Sequence, residues 1–391
     1  MIEKLRDNSF FEKIIKLKGP SIVYNLDFIK FTIDSIREDI SNYVENKSNI
    51  KLFYSCKANT NLEILTFLNP LVDGFDVASK HEFQKVKEFK NNISFTSPYI
   101  EVETLQEVYS TNNIFDFNSI SQLQQFAPHL INKEIGLRIN VDLEDSNKTI
   151  FGKKSRFGIN FNDRRLVEII KIYALKIKKI HIHTGEKNIS ISRNLVKLIE
   201  EILSNELYNQ LEIIDIGGGF LNLYKKKEDV ETFWCMINDF SNNHPELDLI
   251  IEPGNLILAL SGYLVGSVGD ISFIEANNQI ANLTLNVSRH NIFTWNKPNL
   301  IFPPKTVEND TNAVLCNIHG STCYELDFFV NNIFLDKNYL KINSNFIFGP
   351  VGAYSKANSK HLHDYPFPKE YYFIAGDIIE RVKIFSDVYF S

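Results

Sequence analysis

Six stations along the chain carry side chains whose chemistries fit together: Lys57, Asp76, Arg138, His183, the triplet Gly217, Gly218, Gly219, and Glu252. Each lies at the end of a short apolar, β-branched run. A lysine leaving such a run is expected to be desolvated, which lowers its pKa and suits its amine to a Schiff base with an aldehyde. A glycine-rich turn exposes backbone N–H groups able to cradle a phosphate. A carboxylate at a neighbouring strand end can keep a pyridine nitrogen protonated, and a histidine can stack on the ring. The ligand that needs all four is pyridoxal 5'-phosphate (PLP), an aldehyde with a phosphate and a basic ring nitrogen. Singly, each signal has a plain structural alternative: a surface lysine, a hydrogen-bonded core histidine, a tight turn, a loop start at Glu252-Pro253-Gly254. Only their joint placement on one face gives them weight.

The elements that must position them can be read from the hydrophobic pattern. Eight strand-like runs recur, at Ile50–Ala58, Gly74–Ser79, Ile93–Pro98, Ile114–Ser119, Ile135–Val141, Ile177–Gly185, Leu211–Gly219 and Leu247–Gly254. Segments with helical spacing separate them, such as Arg164–Tyr173, Ser192–Ser204 and Asp229–Asn242. Eight strands alternating with helices predict an α/β fold, a closed TIM-like (β/α)8 barrel with its active site at the C-terminal strand ends. The alternative is an open doubly wound sheet, but no GxGxxG follows the first strand. After Gly254 the pattern changes. Runs at Tyr263–Val268, Ala281–Val287, Ala313–His319, Tyr339–Phe348 and Tyr371–Phe385 follow one another without long helices and predict a C-terminal all-β domain. Ser21–Tyr24 precedes the barrel and is able to pair with that domain. The expected division is a barrel over 25–260 and a β domain built from 1–24 and 261–391.

Composition narrows the function. With 42 Lys+Arg against 48 Asp+Glu, the net charge is −6 over 391 residues, the wrong sign for a chain whose main partner is nucleic acid. No run is long and apolar enough for a membrane span, and the start MIEKLRDNSF lacks the apolar stretch of a signal peptide. Cys56, Cys235, Cys316 and Cys323 show no CxxC spacing, so neither a metal knuckle nor a disulfide scaffold is expected. These features predict a cytoplasmic protein acting on a small molecule, with no metal site.

Longer motifs sharpen the reading: YSCKAN around Lys57, GFDVAS, LRIN, SRFG, HIHTG, DIGGGF, EPG, STC and GAY, spread from Lys57 to Tyr354. In order and spacing they resemble the PLP-dependent decarboxylases of the alanine-racemase-like fold (fold type III), the branch holding ornithine, arginine and diaminopimelate decarboxylases. The resemblance implies that Lys57 carries the cofactor covalently and that His183 stacks on its ring. It assigns Gly217, Gly218, Gly219 and Tyr354 to the phosphate, with Gly254 beside them, and Glu252 to the ring nitrogen. Asp76 and Arg138 match positions that support the ring and the histidine. Cys323 matches a cysteine that delivers a proton to the product carbon and that comes from the other subunit, so the resemblance also implies a homodimer with shared active sites.

Four departures bear on the substrate. EPGR in the family is EPGN here, placing Asn255 near the cofactor. Glu186 stands where the family has serine beside the phosphate, a repulsive choice unless Lys187 or a turn offsets it. Tyr324 replaces the carboxylate that holds a distal amine, and a phenol binds ammonium far more weakly. Lys297-Pro298 replaces an arginine-proline pair, keeping charge but losing the bidentate fork. Active core and rewritten distal pocket together suggest a diamino acid or a conjugate of one. The favoured substrate is an amino acid already coupled to citrate in siderophore biosynthesis, whose polyanionic group Lys297, Arg289 and His290 would meet. The stretch His363–Phe373 is also similar to that branch. Alternatives are an ornithine, diaminopimelate or carboxynorspermidine decarboxylase of lysine or polyamine pathways, an alanine racemase, and, from another class, a catalytically inactive regulator. The presence of Lys57, His183, Glu252 and Cys323 together argues against the last.

Overall fold

The structure is a computed structural model and describes residues 8–89, 92–141, 155–273, 280–292 and 298–381. Eight parallel strands close on themselves: β2 (Ile50–Ser55), β3 (Gly74–Val77), β4 (Asn92–Thr96), β5 (Ile114–Phe117), β6 (Glu134–Arg138), β7 (Lys176–His181), β8 (Ile213–Asp215) and β9 (Asp248–Ile251). Closure is made by β9 against β2, with Ile50 opposite Leu249 and Leu52 opposite Ile251. The predicted barrel is therefore the observed one, and no open sheet edge is left in it.

The connecting helices are α3 (Leu62–Leu68), α4 (Lys80–Val86), α5 (Val102–Ser110), α6 (Ile120–Phe126), α7 (Arg164–Tyr173), α8 (Ile189–Leu203) and α9 (Lys227–Asn243), followed by the short α10 (Gly254–Leu258). Their starts are written in local chemistry. After β3, Ser79 Oγ accepts from the Glu82 N–H while Glu82 Oε2 accepts from the Ala78 N–H. After β5 the same device recurs, Ser119 with Gln122 and Gln122 with Asn118. Both are variants of the capping box, with the N3 side chain reaching the N–H of the residue before the cap, and they stop the strand and aim the helix. Before the barrel come α1 (Asn8–Ile14) and the 18-residue α2 (Leu26–Tyr43). The latter is capped by Asn25 Oδ1 on the Phe28 N–H and buries Leu26, Ile29, Ile33, Ile36 and Ile40 along one stripe. This helix was not among the helical segments expected from the hydrophobic pattern.

The second sheet has nine strands: β1 (Ser21–Asn25), β10 (Gly262–Phe273), β11 (Ile280–Leu285), β12 (Asn299–Phe302), β13 (Ala313–His319), β14 (Phe328–Asp336), β15 (Asn345–Gly349), β16 (Lys369–Ile374) and β17 (Asp377–Glu380). β1 does return to this sheet, antiparallel to β10 and parallel to β16. Two expectations change. Tyr339–Phe348 is strand only from Asn345, because a 3-10 turn at Lys337–Tyr339 and left-handed Asn343 (φ 67°) precede it. β12 and β14 were not foreseen; in β14, Asn331-Asn332, the latter at φ 53°, interrupts the apolar pattern. The part of Tyr371–Phe385 beyond 381 lies outside the described residues.

The chain divides into two compact units, Ile33–Leu256 and Met1–Thr32 with Ile257–Ser391. The first contains the barrel and the second the nine-stranded sheet, so the division falls inside α2 and α10. Among the described residues, no helix is long and apolar enough to cross a membrane.

Candidate active site

The strand ends of the barrel bring the first group of expected residues together. Lys57 lies on a single 3-10 turn, Cys56–Ala58, that ends β2. Its Nζ is 3.2 Å from Asp76 Oδ2 at the end of β3, and the same oxygen accepts from Ser55 Oγ at 2.6 Å. The expected desolvation of Lys57 is corrected: its side chain is 41% exposed, held by an ion pair with a buried carboxylate. Gly254 explains how the Glu-Pro-Gly corner reaches this point. A Cβ there would come within 3.0 Å of the Cβ atoms of both Ser55 and Ala58, which flank Lys57.

The glycine triplet follows β8 and is equally tight. Gly217 (φ 68°) and Gly219 (φ 86°) are left-handed, a region that side chains disfavour. A Cβ on Gly217 would meet His183 Nδ1 at 2.7 Å, and one on Gly218 would meet the Glu252 carbonyl oxygen at 2.7 Å. Lys57, His183, the triplet and Glu252 thus share one rim. Arg138, at the end of β6, lies 4.6 Å above the ring of Phe157 from the SRFG motif. That motif docks through Gly158 N–H to the Asn118 carbonyl and Ile159 N–H to the Arg138 carbonyl.

Beneath the rim the barrel interior is charged, a layer absent from the expected site residues. Lys179 Nζ is buried 2.8 Å from Asp116 Oδ2, 3.2 Å from Asp215 Oδ2 and 2.5 Å from Ser94 Oγ. Thr96 Oγ1 bridges Asp116 (2.8 Å) and His181 Nδ1 (2.8 Å), and Ser94 Oγ donates to Glu252 Oε1 at 3.2 Å. A signal for this layer existed. Lys179 and His181 alternate along β7, and His183 continues the alternation two residues past its end, which puts all three on one side.

Electrostatics follow from the burial. Burial first, then the Asp215 and Asp76 carboxylates, pushes Glu252 well above the carboxylate range. Burial works against the Lys179 ammonium, yet Asp116, Asp215 and Glu252 hold it above its ordinary value. Burial, with Lys57, Lys187 and Arg138 nearby, keeps His183 well below the usual imidazole range and therefore neutral. His181 behaves likewise, from burial and then Arg138 and Lys179.

PLP fits what is present. Among the described residues, Glu252 Oε2 is buried with no hydrogen-bond partner, 3.7 Å from His181 Nε2, which also has none. An unsatisfied buried carboxylate oxygen is costly, and a protonated ring nitrogen would satisfy it. No metal site was expected, but His181, His183 and Glu252 do offer ligand atoms all within 4.8 Å of one another. Lys57 and Arg138 add positive charge beside that set, which works against a further cation.

This site can be set against known proteins. Residues 33–259 match the family described as pyridoxal-dependent decarboxylase, pyridoxal binding domain. The chain belongs to that family. Among its relatives, a probable ornithine decarboxylase of Dictyostelium discoideum is 24% identical, over 85% of this chain and 76% of that protein. The diaminopimelate decarboxylase of Buchnera aphidicola is 27% identical, over 95% of this chain and 93% of its own length. The arginine decarboxylase of Paramecium bursaria Chlorella virus shares the fold, with a TM-score of 0.75 at 21% identity, over 93% of this chain and 99% of that one. The protein is a PLP-dependent amino-acid decarboxylase on an alanine-racemase-like fold.

The remaining expected residues of the decarboxylase, Asn255 apart, belong to the sheet unit. Cys323 and Tyr324 lie on the exposed tip of the loop between β13 and β14. Asp327 secures the base: Oδ1 accepts from the Arg289 N–H (2.8 Å), and Oδ2 from the Thr322 N–H (3.1 Å) and hydroxyl (2.7 Å). Both oxygens are engaged, so Asp327 is not available to a substrate ammonium. Tyr324 is 46% exposed, with its ring 5.3 Å from that of His290. Tyr365, in the closing motif, donates to the Ser321 carbonyl at 3.2 Å, joining that motif to the same loop. Tyr354 is left-handed (φ 61°) after Gly352, where a Cβ would meet the Leu258 carbonyl oxygen at 1.8 Å. Asn255 stands half-buried on the first turn of α10. Lys297 lies outside the described residues.

Glu186 points away from the feared clash. It is exposed, and its Oε2 accepts from the Asn222 N–H at 3.3 Å, while Lys187 beside it is buried.

Proposed function

We propose that the protein removes the α-carboxylate of a diamino acid or a conjugate of one, with a citryl-amino acid as the favoured substrate. The observation that carries this reading is the junction at the barrel rim, where Gly254 packs on Ser55 and Ala58 on either side of Lys57 and the triplet packs on His183 and Glu252. When bound, PLP supplies an electron sink for the pair left as carbon dioxide departs. Lys57 is the residue that attaches it, and Asp76 keeps the amine positioned for exchange with the substrate. Glu252 Oε2 would accept the ring N–H, whose positive charge favours the ionised carboxylate that burial and the neighbouring carboxylates disfavour. His183, neutral and held against Gly217, covers one face of the ring. Arg138 contributes positive charge opposite Asp76 and Glu252. The glycine triplet would receive the phosphate.

Cys323, from a second copy in a homodimer, gives the proton to the product carbon. Its exposed loop supports this reading, as a tip held firm at its base and uncovered above is suited to enter another subunit's site. Tyr324 in place of a carboxylate, together with the commitment of Asp327 to the loop, speaks against tight recognition of a free distal ammonium. Arg289 and His290 beside Tyr324 suit an anionic substituent instead. Carbon dioxide release across ornithine, lysine, diaminopimelate, carboxynorspermidine and citryl-amino acids tests the choice. A citryl conjugate is expected to give the highest kcat/KM, by roughly tenfold or more. Highest turnover on free ornithine or diaminopimelate would reject the conjugate and leave the plain diamino-acid reaction.

A further inference from the structure

Behind the glycine triplet sits a cation that the assigned roles leave unused. Lys187 is only 1% exposed. Its Nζ donates to the Ile216 carbonyl at 2.9 Å and to the Gly218 carbonyl, and its own N–H donates to the Gly219 carbonyl at 2.6 Å. The ammonium also lies 4.9 Å from the centre of the Phe220 ring. One residue therefore gathers three carbonyls of the stretch Ile216–Gly219. These peptides are trans, the described cis bonds being Phe302-Pro303 and Gly349-Pro350, and in a trans peptide the N–H points opposite to the C=O. With the Gly218 and Gly219 carbonyls turned to Lys187, the N–H groups of Gly219 and Phe220 turn away from it. Two successive N–H groups on one side of a left-handed glycine form an anion-binding concavity.

We infer that Lys187 is a positioning residue for the cofactor phosphate: it grips the triplet by its carbonyls, presents the Gly219 and Phe220 N–H groups, and puts a buried positive charge behind them. This rests on the reading of the triplet as the phosphate cradle. It also gives the Glu186-Lys187 pair a physical sense. Glu186 ties the outer part of the loop through the Asn222 N–H, and Lys187 ties the inner part, so both ends of the cradle are fixed by adjacent residues.

The charge on Lys187 is conditional. Burial lowers its pKa to about 8, against the opposing pull of Glu252, Asp215 and Glu186, and Lys57 lowers it further; His183, also facing it, is neutral. A bound phosphate dianion would raise that pKa. Phosphate affinity is then complete below about pH 8 and lost as the pH rises through the bound-state value.

The test compares equilibrium binding of PLP and of pyridoxal, which lacks the phosphate, to the full-length apo-protein. Covalent attachment at Lys57 and the Glu252 contact are common to both ligands and cancel in the ratio. Lys187→Gln is expected to weaken PLP about tenfold or more while leaving pyridoxal within about twofold. Gly218→Ala, whose Cβ would press on the Glu252 carbonyl, is expected to erode the same preference. A folded Lys187→Gln protein that keeps the wild-type preference, with Gly218→Ala losing it, overturns the role of Lys187 alone. Gly218→Ala keeping the preference overturns the cradle itself. If Lys187→Gln does not fold, the wild-type protein still decides: the PLP-to-pyridoxal affinity ratio should fall about fivefold or more between pH 7 and 9.5, where the phosphate stays dianionic. A flat ratio overturns the inference.

Discussion

The barrel rim and the loop between β13 and β14 both carry expected catalytic side chains, but they are built in opposite ways. At the rim every group is held by another from the same unit: Lys57 by Asp76, Asp76 by Ser55, Glu252 by Ser94, the triplet by Lys187. Among the described residues, the polar atoms left over include Glu252 Oε2 and His181 Nε2, which lie 3.7 Å apart and call for a ligand. The loop is firm only at its base, through Asp327, and its tip from Cys323 to Leu326 is exposed. The contrast separates two tasks. A preorganised rim can bind a cofactor and stabilise charge without rearrangement. An exposed tip can act only on something brought to it, which is what a proton donor from a second subunit would require.

Breaking the rim should have the largest effect. Lys57→Ala is expected to abolish covalent cofactor attachment, so that borohydride reduction fixes no cofactor to the protein, and to lower carbon dioxide release by roughly 10³-fold or more. Activity near the parental rate would remove Lys57 from the mechanism and with it the account of the rim.

Breaking the tip should cost less and leave the rim intact. Cys323→Ala is expected to keep cofactor binding unchanged and to slow turnover by about 10²-fold, the usual scale for a lost proton donor. Mixing it with Lys57→Ala sharpens the comparison. If each site takes its lysine and its cysteine from different chains, mixed dimers hold one intact site, and random exchange should restore about a quarter of wild-type activity. No recovery on mixing would place both residues in one chain's site.

The same contrast explains what could be read in advance. The barrel was legible because each strand is a short β-branched run ended by a polar residue, and those terminal residues, from Lys57 to Glu252, are the rim. The return of Ser21–Tyr24 to the second sheet was legible for a similar reason. The charged layer was not, because Asp116 is the lone charge in the apolar strand β5 and Lys179 is one of three lysines in β7, where only alternation betrays which one faces inward. The environment of Lys57 was misjudged: an apolar strand precedes it, but the following 3-10 turn carries its side chain out to Asp76 and to solvent. Glu186 looked like a repulsive neighbour of the phosphate because sequence adjacency does not reveal direction. The backbone turns Glu186 outward to Asn222 and sends Lys187 inward.

The smallest expected effect lies at the base of the loop, and it asks how far firmness there matters. Asp327 is 2% exposed and accepts three hydrogen bonds, two of them from backbone N–H groups. Gly320 is tied to the same packing, since a Cβ there would meet Asp327 Oδ1 at 2.2 Å. Asp327→Ala removes an acceptor and leaves the Arg289 and Thr322 N–H groups underpaired, which should cost about 2–3 kcal/mol in the unfolding free energy of the sheet unit, read by denaturant titration. Because the rim is held within its own unit, cofactor affinity should not change. Turnover should fall only as far as the Cys323 tip loses its placement, and less than in Cys323→Ala. A loss of cofactor binding in Asp327→Ala would mean that the loop supports the rim, and the division of labour between the two regions would fail.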